Sequence, residues 1–225
     1  MITAFIPARG GSKGLPGKNI KHFANKPLII HSIEFALSSE YIDEIIVSTD
    51  DEKIAEISLK AGAKIIKRPE KYSHDTATTE SAIEHYLNEY AKKPEIIVLL
   101  QPTSPHRPQG SLDFALKYFK KNKFDSLLSI TPTHKFFWRL KEDKTTYAEY
   151  NYLDRPMRQN IKNEDIRYIE NGSLYIFTTS NFLKTRNRLG GKIGYVEWSE
   201  DYQYEIDTQL DFEILEKLFL SKVLK

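Results

Sequence analysis

A chain of 225 residues with 40% hydrophobic and 28% charged residues has the size and composition of one principal globular domain with an insertion, and can bury a sizeable core. Net charge is only +2, so no global field argues for nucleic acid or a membrane surface, and no apolar run approaches the roughly 20 residues of a membrane span. The absence of cysteine removes disulfides, thiolate chemistry and cysteine zinc sites, and fits a cytoplasmic setting, as does a first strand that leaves no room for a signal peptide.

Residues 2–7 form an apolar, β-branched run with the length of a buried strand. Residues 8–19 follow as a loop with four glycines, one proline and the cations Arg9, Lys13 and Lys18. Glycines let the backbone approach a ligand closely, and successive backbone N–H groups make a concave anion site. The loop therefore suits a polyphosphate. It is not a Walker loop, because Gly11 and Gly17 are separated by five residues and Asn19 follows Lys18. Nor is it a dinucleotide fingerprint, since Gly11, Gly14 and Gly17 are spaced by three.

Strand and helix patterns then alternate. Residues 27–39 read as helix, 44–48 as strand, 51–61 as helix ending at Gly62, and 63–67 as strand closed by Arg68-Pro69. Residues 78–90 read as helix, 95–100 as the most apolar strand, 110–121 as helix and 126–130 as strand. This order implies an α/β fold: a mostly parallel sheet with helices on both faces, Rossmann-like and three-layered. Ligands of such sheets bind past the carboxyl ends of the strands, where Arg9, Asp50, Arg68 and Gln101 fall. The alternation breaks at about Thr131. Residues 131–169 are polar and aromatic, too long for an idle loop, and are either a functional extension or an excursion packed on its own domain. The core pattern returns at 172–177 as strand, then 178–184 as helix, 192–197 as strand and 211–224 as a closing amphipathic helix. The division is thus 1–130 with 170–225 as the main domain, and 131–169 as the insertion.

Near the carboxyl end, Glu205-Ile206-Asp207 places two acids on one face of an extended segment. Such a pair suits Mg²⁺, a hard cation that takes one or two carboxylates plus substrate phosphates. Alternatively Asp207 caps the closing helix. Asp50-Asp51, after the second strand, could cap the following helix or bind ribose, and capping is the commoner task. Arg68 precedes Pro69 and is held extended; Thr78 and Thr79 stand where a helix cap is expected. The six histidines form no H-x-x-x-H pair, and no serine lies in G-x-S-x-G, so acyl transfer is not indicated.

The stretch IPARGGSKGLPGKNI (6–20) resembles the signature of the acylneuraminate (CMP-sialic acid, nonulosonic acid) cytidylyltransferase family. The resemblance runs on in order through IIVSTDDEKIA (45–55), Arg68-Pro69, HDTATTE (74–80), LLQPTSPHR (99–107), RQN (158–160), ENGSLYIF (170–177) and EIDTQLDFE (205–213). It implies a nucleotidyltransferase fold with residues 131–169 as a dimerisation arm, and transfer of CMP from CTP to an acidic nine-carbon sugar with release of pyrophosphate. It implies that Arg9, Ser12, Lys13 and Lys18 hold the triphosphate, with Arg9 and Lys18 catalytic, and that Asn19, Arg68 and Thr78 contact the nucleoside. It places Gln101, Arg167 and Asn171 at the sugar, and Mg²⁺ on Asp207 with Glu205, where the family more often has a second aspartate. Arg158, in the arm, has the guanidinium geometry to reach a carboxylate across a homodimer. Trp138 stands where sialate enzymes carry a lysine for the sugar carboxylate. Other readings stay open: another acceptor, such as 3-deoxy-octulosonate or a sugar phosphate, another nucleotide, or a nucleotide-binding protein without catalysis.

Overall fold

The computed structural model describes residues 1–12 and 14–223, with side chains to 221. Strand β1 (Ile2–Pro7) feeds the glycine loop, which ends in a small two-residue ladder, β2 (His22–Phe23) and β3 (Lys26–Pro27). Then come α1 (Leu28–Leu37), β4 (Glu44–Thr49), α2 (Glu52–Lys60), β5 (Lys64–Lys67), α3 (Thr79–Glu89), β6 (Ile96–Leu100), α4 (Ser111–Asn122) and β7 (Ser126–Thr133). A hairpin of β8 (Trp138–Leu140) and β9 (Thr146–Ala148) leads to β10 (Arg167–Thr178), α5 (Thr179–Thr185), β11 (Ile193–Glu197) and α6 (Gln209–Val223).

Seven strands make one sheet in the order β11-β7-β10-β6-β1-β4-β5. β1 pairs in parallel with β4 and β6, β4 with β5, and β7 with β11. Only β10 runs the other way, antiparallel to both β6 and β7. Hydrophobic periodicity carries no information on strand direction, which is why the reversed strand was not foreseen.

Side chains alternate cleanly between the two faces. Ala4 and Ile6 of β1, with Val98 and Leu100 of β6, meet Ile29 and Ile33 of α1 and Leu112 and Leu116 of α4 in one core. Phe5, Ile97 and Leu99 point the opposite way, onto Ile83 and Tyr86 of α3 and Phe182 of α5. Both faces are thus apolar along the same strands, the continuous pattern expected of a covered sheet. A third, smaller core joins Leu15 of the glycine loop, Phe23 and Leu28 to Ile206, Phe212 and Leu215. Among the described residues, no helix is long and apolar enough to cross a membrane.

β7 and β10 run further than the sequence pattern suggested. Arg167 pairs with Thr133 and Ile169 with Thr131, so a two-stranded ribbon carries the sheet into the 131–169 stretch. The register shifts between Glu170 and Tyr175, which marks a bulge with Gly172 at φ 65°. The hairpin beyond is held by its own aromatics: Phe136 and Tyr150 rings lie 4.4 Å apart, and Trp138 meets Tyr150 edge-on at 5.9 Å. Leu140 and Leu153 stay more than four-fifths exposed, at 86% and 84%.

Candidate functional site

A cleft of about 420 Å³ opens past the carboxyl ends of β1 and β6. Arg9, Ser12, Lys18, Asn19, Arg68, Thr78, Gln101 and Asp207 all line it. Lys13, the remaining loop cation named from the sequence, lies outside the described residues. The loop is shaped by its own short bonds. Gly17, at φ 66°, starts a 3-10 turn over Lys18–Ile20. Buried Asn19 donates its Nδ2 to the Arg9 carbonyl at 3.0 Å, closing the loop on itself. The amide of Gly10 donates to Asp50 Oδ1 at 3.0 Å, while Asp51 caps α2 by accepting from the Ile54 amide at 2.9 Å. The two adjacent acids therefore divide the work: one caps, the other braces the loop.

The amino-terminal loop and Asp207 meet in this cleft. Lys18 Nζ donates to the Ile206 carbonyl at 2.6 Å and lies 3.5 Å from Asp207 Oδ1. A methyl group on Gly14 would fall 2.3 Å from the Asp207 carbonyl oxygen, so only glycine allows this approach. Asp207 is not needed as a cap for α6. Thr208 Oγ1 accepts from the Asp211 amide at 3.2 Å, and Asp211 Oδ2 accepts from the Thr208 amide at 2.8 Å, a reciprocal capping box. The Asp207 side chain is left 75% exposed, facing Lys18.

Glu205 sits deeper. Its carboxylate lies over Gly172, where a Cβ would come within 2.3 Å of Oε1. Burial pushes its pKa up to about 7, the charges of Asp207 and Glu170 push it further in the same direction, and Lys18 opposes them. Glu170 is itself engaged by the Tyr175 hydroxyl. Carboxylates gathered so closely repel one another, and a divalent cation would relieve the repulsion. Among the described residues, no three His, Asp or Glu groups form a metal cage. This donor set fits Mg²⁺, which takes one or two carboxylates and draws its other ligands from water and substrate phosphates.

The opposite wall is formed around Arg68. Its Nε donates to Ser48 Oγ at 3.1 Å, and its amide to the Thr49 carbonyl at 2.7 Å. Burial pushes the guanidinium down to about 10, with Asp50 opposing and Arg9 adding to the fall; it stays charged at neutral pH. Thr78 caps α3, accepting from the Ser81 amide at 3.1 Å. Arg9 donates to the His74 carbonyl at 3.0 Å and lies 3.4 Å from Asp75. The 74–79 segment is thus strapped to the glycine loop across the cleft.

Three sequence candidates do not reach the cleft within one chain. Asn171 is fully buried, and its amide is spent inside the sheet: Nδ2 donates to Thr131 Oγ1 at 3.1 Å, and Oδ1 accepts from the Ser173 amide at 3.2 Å and from Ser129. The bulge turns this side chain inward, so it fixes the strand rather than offering itself to a ligand. Arg167 pairs with Glu149 and donates to its carbonyl at 3.0 Å. Arg158 donates to Glu200 Oε1 at 2.8 Å. Arg167 lines a separate hollow of about 720 Å³ in the 131–169 stretch, and a third hollow, about 200 Å³, lies at the other end of β4 and β5, away from these groups. Sequence reasoning passed over Thr103, which lines the cleft and whose carbonyl accepts from the Ile206 amide at 2.8 Å. It also passed over Arg107, which is buried beneath the cleft. Arg107 precedes Pro108 as Arg68 precedes Pro69, a signal that was available.

A three-layer fold with a cationic glycine loop and Asp207 in one cleft, and Glu205 deeper beside Gly172, is that of a nucleotidyltransferase-type domain. Residues 3–225 match the sequence model of the family described as Cytidylyltransferase, and the chain belongs to that family. It is 34% identical over 223 residues to N-acylneuraminate cytidylyltransferase A of Danio rerio, covering 97% of this chain and 51% of that protein. The N-acylneuraminate cytidylyltransferase of Escherichia coli O18:K1:H7 is 33% identical over 215 residues, 95% of this chain and 51% of its own. The chain thus spans about half the length of these two curated relatives. The CMP-N,N'-diacetyllegionaminic acid synthase of Legionella pneumophila is 33% identical over 229 residues, 96% of this chain and 95% of its own. Among solved structures, CMP:2-keto-3-deoxy-manno-octonic acid synthetase complexed with CTP superposes with a TM-score of 0.71 at 17% identity, covering 98% of this chain and 99% of that one. At that identity the likeness concerns the fold.

Proposed function

We propose that this protein is a cytidylyltransferase that activates an acidic nine-carbon sugar: CTP and a nonulosonic acid give the CMP-sugar and pyrophosphate. The observation that carries the reading is the meeting of Lys18 and Asp207, 3.5 Å apart, in the cleft lined by the glycine loop. In this reading Arg9, Ser12 and Lys18 hold and neutralise the triphosphate, and Asn19, Arg68 and Thr78 form the nucleoside wall. The anomeric hydroxyl attacks the α-phosphorus, and pyrophosphate leaves into the loop's N–H groups and cations. Such transfers ask the protein mainly for positioning and charge stabilisation. Mg²⁺ on Asp207, with Glu205, would supply charge neutralisation at the transferred phosphate. Gln101 holds the sugar, and the 131–169 stretch is a dimerisation arm through which Arg158 and Arg167 serve the neighbouring subunit. The reading includes a cytoplasmic enzyme working as a homodimer.

One relative of matching length is named for a legionaminic acid, and Trp138 stands in an aromatic cluster where the family resemblance puts a lysine for sialate. Both favour a nonulosonic acid other than N-acetylneuraminate. The test is pyrophosphate release from CTP and Mg²⁺ with a panel of nonulosonic acids, and with the other three nucleotides. Release with at least one acid and CTP is expected. Silence with every acid, together with turnover of a sugar phosphate or 3-deoxy-octulosonate, overturns the substrate class; nucleotide binding with no release under any condition overturns catalysis.

A further inference from the structure

Beneath the cleft lies a charged group to which the proposed reaction gives no task. Arg107 is 9% exposed and has no carboxylate partner among the described residues. Its donors all go to neutral oxygens: Nη2 to the Gln101 carbonyl at 2.8 Å, Nε and Nη2 both to the Ser173 carbonyl at 3.3 Å, and Nη1 to Ser32 Oγ on α1 at 3.1 Å. The guanidinium lies over the Phe35 ring, 5.2 Å from its centre. Burial pushes its pKa down to about 9, so it remains a cation at neutral pH. A buried cation without a counter-ion costs stability, and an apolar side chain of similar length would fill the space without that cost. What an apolar chain lacks is the rigid fork of donors.

The places the fork holds are informative. Gln101 is the first residue after β6 and lines the cleft. Ser173 follows Gly172, the bulge residue over which the Glu205 carboxylate lies. One side chain therefore ties together two neighbouring strands where one presents Gln101 and the other supports Glu205. We infer that Arg107 is a positioning residue that fixes the spacing between the Gln101 side of the cleft and the acid pair, acting through the Gln101 and Ser173 carbonyls and touching no substrate itself. Removing the fork releases the Ser173 carbonyl and leaves the Gln101 carbonyl only the Ser104 amide, at 3.1 Å, while the glycine loop is untouched, so nucleotide binding is spared.

The inference rests on the proposed reading for its kinetic test. Arg107→Lys keeps the charge and loses the fork. The expected result is a 10- to 100-fold fall in kcat with the acidic sugar, a KM for CTP within twofold of the parent, and a raised Mg²⁺ requirement. In a Gln101→Ala background, Arg107→Lys should cost less than in the parent, because the two act through one element. A parallel rise in the CTP KM, or full multiplicativity of the two losses, overturns the inference and leaves Arg107 a plain core residue. Ser32→Ala removes one anchor without emptying the core and should move kcat two- to fivefold in the same direction; no change there with Arg107→Lys unfolded also counts against it. If the parent turns over no acid at all, the substrate reading fails on its own, and hydrogen exchange decides the inference. Faster exchange in Arg107→Lys confined to residues 101–104 and 171–174, with CTP binding intact, supports it; uniform loosening overturns it.

Discussion

In the cleft, Lys18 and Asp207 stand 189 residues apart in sequence and 3.5 Å apart in space, within one chain. In the 131–169 stretch, the aromatics pack among themselves, and Arg158 and Arg167 are paired with Glu200 and Glu149 at the surface. The first region converges from both ends of the chain on a concave point; the second presents exposed Leu140, Leu153 and Met157. The contrast shows how the proposed labour is divided. A single subunit already assembles the proposed nucleotide side, whereas in the 131–169 stretch Arg167 lines a separate hollow and Arg158 is held by Glu200, and neither reaches the cleft within one chain.

The sharpest break in that contrast is Asp207→Ala. Its side chain is largely exposed and caps nothing, so folding should be retained while Mg²⁺-dependent pyrophosphate release falls about 10²–10³-fold; retained turnover removes the metal assignment. Lys18→Met removes a charge from the same point and the bond to the Ile206 carbonyl, and should cost roughly 10²-fold in kcat/KM for CTP. Titration with CTP checks it, and an unchanged value would move the phosphate subsite elsewhere.

Gly172→Ala brings a Cβ against Glu205 at a residue with φ 65°. It should lower stability by about 1–3 kcal/mol in denaturant unfolding, and an unchanged midpoint would mean that the carboxylate can move away freely. Glu205→Gln separates folding from catalysis by pH. The folded carboxyl is raised to about 7 from an ordinary value of 4.5, so the native state binds the proton more tightly than the unfolded one. This group's contribution to stability is therefore complete below about pH 4.5 and is lost as pH rises through 7. The amide should thus gain about 1–2 kcal/mol over the parent at pH 8, a value reduced for partial solvation, and nothing near pH 4. A gain that does not depend on pH would deny the shift. Smallest is Arg158→Ala, whose exposed pair with Glu200 is worth under about 1 kcal/mol. If the arm works across subunits, its effect should appear in activity and not in the melting temperature, and mixing it with an Asp207→Ala chain should restore part of the lost activity.

Much of the fold was legible because the parallel strands bury both faces and carry continuous apolar runs; β1, β4 and β6 fall where the pattern puts them. The antiparallel direction of β10 was not legible, because reversal leaves the alternation unchanged. Nor was the extent of the β7–β10 ribbon, whose outer residues, such as Arg167 and Tyr168, are polar or exposed. At the site, residues whose chemistry is their own could be named: the loop cations, the acids, and Arg68 before its proline. Asn171 was named through the resemblance alone, and nothing in the sequence shows that its amide is bonded inside the sheet, which the bulge decides. Arg107 stands before Pro108 as Arg68 stands before Pro69, but its partners, two backbone carbonyls and the Ser32 hydroxyl, form no pattern in the sequence.

The small third core has a consequence for how the protein is made. Leu15 and Ile206 share it, so the glycine loop is sealed by a segment synthesised long after the loop itself. Contacts so distant along the chain close late and slowly. A nascent chain that has completed β1, β4 and β6 would own a sheet but no grip on a triphosphate. Nucleotide affinity should therefore emerge only after α6 leaves the ribosome and docks, and binding of a fluorescent CTP analogue to stalled chains of increasing length would reveal one step rather than a gradual rise.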